Sequence, residues 1–223
     1  MKKYIYIGIG LIISISLISI IFMNKNNNQN KKGGITASED LESTILAGGC
    51  FWCVEADLEK LDGVAEAISG YSGGESKNPT YENYAEGGHR EVVKVKYNPN
   101  QITYKQLLHY FLKHIDPTDG QGSFGDRGKQ YSPAIYYETE QEKETAKQVL
   151  KEIEQSNVFK EKLQVPVLEK QKFWPAEDCH QNYYEKNSIR YKIYRKASGR
   201  DSFIKKHWGQ SADKLPKKEN NKN

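Results

Sequence analysis

The sequence is poor in cysteine, since its 223 residues contain three, at positions 50, 53 and 179. Three cysteines are too few for the disulfide framework that stabilises many small secreted domains, so each is a separate candidate for a nucleophile, a metal ligand or a core residue. The hydrophobic fraction of 37% and the charged fraction of 28% are typical of a globular chain and exclude a disordered one. We therefore expect one folded domain with a hydrophobic core.

The sequence also lacks the basic surplus of a nucleic-acid-binding protein. The 33 Lys and Arg exceed the 29 Asp and Glu by four, but five of the Lys lie in residues 1–35, which contain no acid. In the remaining chain the acidic residues outnumber the basic ones by one. Because counterion release from phosphates needs clustered Lys and Arg, we exclude nucleic acid as a partner.

Charged residues are absent from the apolar run 4–23. Twenty residues at about 1.5 Å each match a hydrocarbon core about 30 Å thick, so the run predicts a transmembrane segment. Asn24 and Lys25 follow it instead of a small-residue cleavage site. We expect a single N-terminal membrane anchor with the folded domain outside the cytoplasm. The alternative is a signal peptide and a secreted protein, because Gly33, Gly34 and Ala37 follow further on.

Composition divides the chain into four segments. We expect the anchor or signal in residues 1–23, a polar linker rich in Asn and Lys in 24–42, the folded domain in 43–210, and a polar tail rich in Lys and Asn in 211–223.

Hydrophobic periodicity predicts the element order β-α-β-β-α-β in the domain. The predicted strands are Ser43–Ala47, Val64–Tyr71, Glu91–Tyr97 and Pro133–Tyr137, with a possible edge strand at Gln164–Glu169; the predicted helices are Cys50–Leu61, Thr103–Ile115 and one that begins at Thr139. This order predicts an α+β fold, a ferredoxin-like split β-α-β plait whose mostly antiparallel sheet carries helices, preceded by the transmembrane segment.

The motif Gly48-Gly49-Cys50-Phe51-Trp52-Cys53 contains the candidate chemistry. Cys50 lies where a strand turns into a helix, and the helix dipole there favours a thiolate by only about 0.3–1 kcal/mol, less than the 1.36 kcal/mol of one pKa unit. A second activator is therefore needed. Cys50 and Cys53 are three residues apart on a predicted helix, which places their Cβ atoms about 5–6 Å from each other. After a small adjustment of the turn, the two thiols can form a disulfide. The alternative is that both are buried core residues.

The segments GCFWC, GYSGG, NPTYENYAEGGHRE, DRGKQYSPAIYY and FWPAEDCHQNYY closely resemble the A-type peptide methionine sulfoxide reductases. The resemblance extends from about Thr44 to Gly209. It implies an enzyme that reduces the S epimer of methionine sulfoxide in oxidised proteins and peptides. It also implies a monomer without metal or cofactor, which a thioredoxin-like reductant returns to the dithiol form.

The resemblance assigns the thiol chemistry to the GCFWC motif. Cys50 corresponds to the nucleophile, and Phe51 and Trp52 would form the walls of a pocket for the sulfoxide methyl group. Cys53 would resolve the Cys50 sulfenic acid by forming a disulfide. Many family members have Gly where Cys53 stands and keep a recycling cysteine in the C-terminal tail, whereas residues 180–223 contain no cysteine. This chain is therefore similar to a GCFWC variant.

The other motifs supply residues for the sulfoxide and the substrate backbone. The resemblance implies that Tyr81, Glu91 and Tyr131 bind the sulfoxide oxygen and that Asp126 holds the substrate main chain. A sulfoxide sulfur becomes electrophilic when its oxygen is protonated, so a carboxyl kept neutral by burial suits position 91. We expect Glu91 to be the acid.

Three alternative functions belong to other classes of protein. A zinc site could use Cys50, Cys53, Cys179 and His180, but the last two are adjacent on a predicted helix and diverge by about 100°. A general thiol–disulfide oxidoreductase would use the same C-x-x-C motif. A binding module could present its 15 Tyr as a contact face. Cys179 itself has no assigned role beyond packing.

Overall fold

The computed structural model describes residues 40–218. Its strands are β1 (Glu42–Ala47), β2 (Val64–Ser72), β3 (Arg90–Tyr97), β4 (Gly122–Ser123), β5 (Asp126–Arg127), β6 (Ala134–Tyr137), β7 (Val167–Glu169) and β8 (Trp174–Pro175). Its helices are α1 (Phe51–Leu58), α2 (Tyr104–Lys113), α3 (Glu140–Gln155), α4 (Tyr183–Lys186), α5 (Ser188–Ser198) and α6 (Arg200–His207), with 3-10 turns at Lys129–Tyr131 and Gly209–Ser211.

Six strands form one mixed sheet in the order β7-β6-β1-β3-β2-β8. The β6–β7 pair is parallel, whereas β1–β3, β1–β6, β2–β3 and β2–β8 are antiparallel. Strands β4 and β5 form a separate hairpin. The two central strands, β1 and β3, therefore lie next to each other in the middle of the sheet.

Successive side chains of β3 point to opposite faces of the sheet. Val93, Val95 and Tyr97 join the main core, while Lys94 and Lys96 between them are half-buried. Leucines and valines of α2 and α3 cover the same face as the three core residues. Glu91 continues this alternation two residues before Val93, so the strand directs a carboxyl group toward the helix face of the sheet.

Two capping boxes define the beginnings of the long helices. The Thr103 hydroxyl accepts a hydrogen bond from the Gln106 backbone N–H, and the Gln106 side chain accepts one from the Thr103 backbone. Thr139 and Glu142 do the same at α3. Both reciprocal pairs satisfy backbone N–H groups that the helix leaves without partners.

The predicted fold class is wrong. The described residues form a mixed α/β fold whose six-stranded sheet includes a parallel edge pair and the short strand β8, with three further helices after the sheet. Periodicity finds alternating segments, but the pairing of two- or three-residue edge strands depends on distant backbone partners. The predicted helix Cys50–Leu61 also ends earlier, at Leu58.

The predictions of a transmembrane segment and of a membrane-anchored location are likewise contradicted. Within residues 40–218, no helix combines the length and the apolar composition that crossing a membrane requires. The apolar run 4–23, on which those predictions were based, lies outside the described residues.

Candidate active site

A tight turn places Cys50 at the beginning of α1. Strand β1 ends at Ala47, and Gly49 adopts φ +92°, a conformation that favours glycine. A Cβ at Gly49 would lie 2.4 Å from Ser123 Cβ, so no larger residue fits. Cys50 is the N-cap residue, and its carbonyl accepts hydrogen bonds from the backbone N–H groups of Cys53 and Val54.

A pocket of about 80 Å³ opens beside Cys50. It is lined by Cys50, Phe51, Trp52, Tyr81, Glu91, Asp126, Tyr131 and Tyr194. Seven of the eight residues that the sequence motifs indicate therefore lie around one cavity. The eighth, Cys53, is absent from its lining and lies on another side of α1.

Glu91 is a buried carboxyl group, with 2% of its surface exposed. Its Oε2 accepts a 2.8 Å hydrogen bond from the Phe51 backbone N–H, and its Oε1 lies 2.9 Å from the Tyr84 hydroxyl. Burial raises the pKa of Glu91 to about 8, although these two hydrogen bonds oppose the shift. Glu91 is therefore protonated at pH 7 and can donate a proton.

The Cys50 thiol is also held in its neutral form. Burial, the side-chain hydrogen bond with Cys53 and the nearby Glu91 raise the pKa of Cys50 well above its ordinary value. A hydrogen bond with Tyr194 opposes that shift, and the same hydroxyl lies within hydrogen-bond distance of Asp126 Oδ2. Cys50 therefore retains its proton at neutral pH.

Cys53 lies in different surroundings. It is buried against Ala56, Tyr183 and Tyr191, on the side of α1 that faces α4 and α5. The hydrogen bond from Cys50 and the positive charges of Arg200 and Arg195 lower the pKa of Cys53 to about 7, against the effect of burial. Cys50 therefore donates and Cys53 accepts in the hydrogen bond that joins the two thiols.

Stacked rings fix the pocket wall. The Trp52 ring lies 3.8 Å from the Tyr183 ring, centroid to centroid, with 7° between the planes. Trp52 Nε1 donates a 3.1 Å hydrogen bond to His180 Nδ1. Phe51 is fully buried beneath Tyr81, whose ring centroid lies 6.5 Å away. Tyr81 is 43% exposed and forms the outer rim.

Glu177 fixes the rim, and sequence reasoning missed it. Its Oε1 accepts a 2.9 Å hydrogen bond from the Tyr81 backbone N–H, and its Oε2 accepts one of 2.8 Å from the Tyr71 hydroxyl. Glu177 begins the segment EDCHQ, which is part of a motif quoted above. Tyr84 was missed in the same way within NPTYENY.

Other missed residues lie far along the chain, in α5 and α6. Tyr194 and Tyr191 are three residues apart and thus share a helix face, which was the available signal. Arg195 forms an ion pair with Asp57 at 2.8 Å. Arg200 is fully buried, and no sequence pattern marks it.

Cys179 is exposed and lies in a turn, so the prediction that it and His180 occupy a helix is wrong. Among residues 40–218, no three His, Cys, Asp or Glu side chains are arranged to hold a metal ion. The residues of the zinc alternative are thus not assembled into a site.

Comparison with known proteins identifies the relatives of the chain. The family model described as peptide methionine sulfoxide reductase matches residues 42–212. The chain is 50% identical over 184 residues to peptide methionine sulfoxide reductase MsrA/MsrB of Vibrio cholerae, a match that covers 82% of the chain and 49% of that protein. It is 48% identical to peptide methionine sulfoxide reductase MsrA 2 of Rhizobium meliloti over 75% of the chain and 84% of that protein.

Two solved structures align with this chain. Reduced Mxr1 from Saccharomyces cerevisiae aligns with a TM-score of 0.63 at 26% identity, covering 66% of this chain and 86% of that one. Methionine sulfoxide reductase A of Corynebacterium diphtheriae aligns with a TM-score of 0.60 at 25% identity, covering 72% and 81%.

The buried thiol pair and the protonated carboxyl define a thiol-dependent oxidoreductase. Within that class, the chain belongs to the peptide methionine sulfoxide reductase family and is similar to its A-type members. It is accordingly a methionine sulfoxide reductase, as the sequence motifs predicted.

Proposed function

We propose that Cys50 attacks the sulfur of the S epimer of methionine sulfoxide, in oxidised proteins and peptides, while Glu91 supplies a proton to the oxygen. The observation that carries this proposal is that Cys50 and the protonated Glu91 line the same small pocket. Neither group alone is sufficient, because a sulfoxide resists attack until its oxygen is protonated or strongly hydrogen-bonded.

The pocket orients the substrate through different groups. Phe51 and Trp52 present apolar surface to the methyl group of the sulfoxide. The hydroxyls of Tyr81 and Tyr131 donate hydrogen bonds to its oxygen, and Asp126 accepts from the substrate backbone. Because the methyl group and the oxygen need opposite surroundings, a pocket with one apolar and one polar wall distinguishes the two epimers at sulfur.

The position of the acidic proton follows from the hydrogen bonds of Glu91. Oε2 accepts from the backbone N–H of Phe51, which can only donate, so the proton belongs on Oε1. The Tyr84 hydroxyl next to Oε1 lies 3.4 Å from the Tyr131 hydroxyl. Tyr84 can therefore accept from neutral Glu91 and donate toward Tyr131, which links the carboxyl group to the polar wall of the pocket.

The first step transfers oxygen between two sulfurs. The Cys50 thiol and the sulfoxide give methionine and a Cys50 sulfenic acid, so the substrate sulfur gains two electrons and Cys50 loses two. Cys53 then attacks Cys50: an S–S bond forms, the S–O bond breaks, and the oxygen leaves as water. A thioredoxin-like dithiol protein opens the disulfide and restores both thiols.

The test uses separated S and R epimers of a methionine sulfoxide peptide, with dithiothreitol as the reductant. We expect turnover of the S epimer and no turnover of the R epimer. Equal turnover of both epimers would contradict the proposed pocket geometry. Reduction of insulin disulfides without reduction of either epimer would instead show a general thiol–disulfide oxidoreductase.

A further inference from the structure

The two thiols of the GCFWC motif differ in how an incoming group can reach them. Cys50 is 6% exposed and lines the pocket beside Glu91. Cys53 is 1% exposed and is absent from the lining of that pocket. A nucleophile that enters the pocket from solvent therefore meets Cys50 and not Cys53.

Aromatic rings cover Cys53 on the other side of α1. Its side chain packs with Tyr183 and Tyr191 in one buried cluster, and other rings pack against that cluster: those of Trp52, Tyr184 and Tyr194. The cover is held in place, because Tyr183 stacks on Trp52 at 3.8 Å between centroids and the Tyr191 hydroxyl accepts a 3.0 Å hydrogen bond from Arg195. Access to Cys53 would require both contacts to break.

Formation of a Cys50–Cys53 disulfide does not require Cys53 to leave this cluster. The two residues lie in the first turn of α1, where the Cys53 backbone N–H donates to the Cys50 carbonyl at 3.1 Å. Residues three apart on a helix have Cβ atoms about 5–6 Å apart, and a disulfide holds its Cβ atoms about 3.5–4.5 Å apart. A shift of about 1–2 Å closes that difference. In the disulfide, Cys53 therefore stays beneath the rings while Cys50 stays at the pocket.

We propose that the reductant attacks the Cys50 sulfur of this disulfide through the same opening that admits the sulfoxide, a step that rests on the proposed function of the two cysteines. The reductant thiolate forms an S–S bond with Cys50, the Cys50–Cys53 bond breaks, and Cys53 leaves as a thiolate that takes up a proton. The second thiol of the reductant then attacks the reductant sulfur in the mixed disulfide, so the reductant becomes a disulfide and Cys50 leaves and regains a proton. Two electrons thus pass from the reductant to the enzyme.

The identity of the leaving thiol supports the same direction of attack, because exchange is faster when the leaving thiol has a lower pKa. Attack at Cys50 expels Cys53. In the dithiol form the hydrogen bond from Cys50 and, after it, the positive charges of Arg200 and Arg195 lower the pKa of Cys53, and these charges remain when that bond is gone. Attack at Cys53 would instead expel Cys50, whose pKa is raised by burial.

The opening also restricts the shape of the reductant. The cavity holds about 80 Å³, and its outer rim includes the ring of Tyr81, which is 43% exposed. A cysteine side chain is one methylene shorter than that of methionine, so the backbone of a protein reductant must approach Cys50 more closely than the substrate backbone does. The partner that fits is a dithiol protein whose nucleophilic cysteine protrudes from its surface, with apolar groups beside it to contact the aromatic rim.

The first experiment traps the mixed disulfide. It uses Cys179→Ser, in which Cys50 and Cys53 are the remaining cysteines. This enzyme is oxidised with one equivalent of the S-sulfoxide peptide and mixed with a thioredoxin whose second cysteine is replaced by serine. Early samples are quenched in acid, and mass analysis of peptides identifies the enzyme cysteine that is bound to thioredoxin. We expect at least about tenfold more mixed disulfide at Cys50 than at Cys53.

The second experiment asks whether substrate and reductant use one opening. A peptide that carries methionine sulfone resembles the substrate, and its binding to the oxidised enzyme is measured by equilibrium dialysis. It should slow the reduction of the Cys50–Cys53 disulfide by dithiothreitol in proportion to its occupancy, and more dithiothreitol should restore the rate. The same peptide with alanine in place of the sulfone residue is the control. If the sulfone peptide does not bind, the trapping experiment decides.

Comparable amounts of mixed disulfide at the two cysteines, or more at Cys53, would overturn the inference. So would an unchanged rate of reduction when the sulfone peptide occupies the oxidised enzyme. A failure of the proposed function is distinct, because it would appear before any reductant is added, as the absence of a Cys50–Cys53 disulfide after one turnover. That result would remove the basis of this inference as well.

Discussion

The two sides of helix α1 hold two buried cysteines in opposite electrostatic surroundings. The Cys50 side has aromatic rings and a protonated carboxyl, and there the pKa of the thiol is raised by burial and by its neighbours. On the Cys53 side the hydrogen bond from Cys50, and after it the positive charges of Arg200 and Arg195, lower the pKa of the thiol to about 7 against the effect of burial. Proximity to a helix N-terminus, which the two share, therefore does not set thiol acidity; the side chains around each thiol do.

This difference matches two steps with different requirements. Sulfoxide reduction needs a proton at the substrate oxygen, and supplying it is the role that we propose for neutral Glu91. Disulfide formation needs a thiolate at Cys53, and the proton that Cys53 gives up leaves with the oxygen of the sulfenic acid as water. One short helix can support both steps because its two thiols have different neighbours: Cys50 shares a pocket with Glu91, whereas Cys53 packs against Tyr183 and Tyr191.

The first prediction separates the two cysteines. Cys50→Ser should abolish sulfoxide reduction, because the nucleophile is lost. Cys53→Ser should release about one methionine per enzyme without added thiol, since the first step uses Cys50 alone. Quantifying methionine after mixing enzyme with excess S-sulfoxide peptide measures both. Cys179→Ser is the control and should behave as the unmutated enzyme does. Release of more than one methionine per enzyme by Cys53→Ser in the absence of thiol would show that Cys53 is not needed to recycle Cys50.

The second prediction concerns the acid of the Cys50 side. Glu91→Gln can still hydrogen-bond the sulfoxide oxygen but cannot deliver a proton, so kcat should fall on the order of 10² or more with little change in KM. Glu55→Gln is a matched control, since Glu55 is also buried and burial raises its pKa to about 7, yet it does not line the pocket. An unchanged kcat in Glu91→Gln would remove Glu91 from the acid role.

The third prediction is that the two steps respond to pH in opposite directions. The pKa of Glu91 is raised to about 8, so the acid is present below that pH and methionine release should slow as the pH rises through it. Disulfide formation requires the Cys53 thiolate, so it should accelerate as the pH rises. The pKa of Cys53 is about 7 in the dithiol form, and loss of the hydrogen bond from the Cys50 thiol on oxidation moves the profile above that value. Single-turnover kinetics from pH 6 to 9 measure the rates of methionine release and of disulfide formation separately at each pH. Parallel profiles would show that one group controls both steps.

The smallest effect is expected from Tyr84→Phe. Its hydroxyl lies 2.9 Å from Glu91 Oε1 and favours the charged carboxylate, so its removal should raise the pKa of Glu91 further. The decline in the rate of methionine release at alkaline pH should therefore occur at higher pH. The rate at pH 7 should fall less than about tenfold. Tyr97→Phe, whose hydroxyl contacts Glu42 outside the pocket, is the control. A decline at lower pH than in the unmutated enzyme would contradict the expected rise in the pKa of Glu91.

Much of the local structure was predictable because its signal is local. Alternation located β2 and β3 within one residue at each end, and Thr103 with Gln106 indicated a capping box that the structure contains. The family motifs named seven residues that the structure brings to one pocket. Each of these predictions depends on neighbours in sequence or on a motif of a few residues.

The rest depends on long-range contacts. Arg200 approaches the turn before Cys50 from 150 residues further along the chain, and its hydrogen bond to Gly48 spans 152 positions. Tyr194 reaches Asp126 across 68 positions. No periodicity encodes such pairs, and the same limit applies to the short edge strands that made the predicted fold class wrong.

The central claim is that Cys50 performs the chemistry and Cys53 completes it. Its most direct test treats the unmutated enzyme with one equivalent of S-sulfoxide peptide in the absence of reductant, blocks free thiols, and identifies the disulfide by mass analysis of peptides. We expect a Cys50–Cys53 disulfide with Cys179 free. A Cys50–Cys179 disulfide with Cys53 free would contradict it.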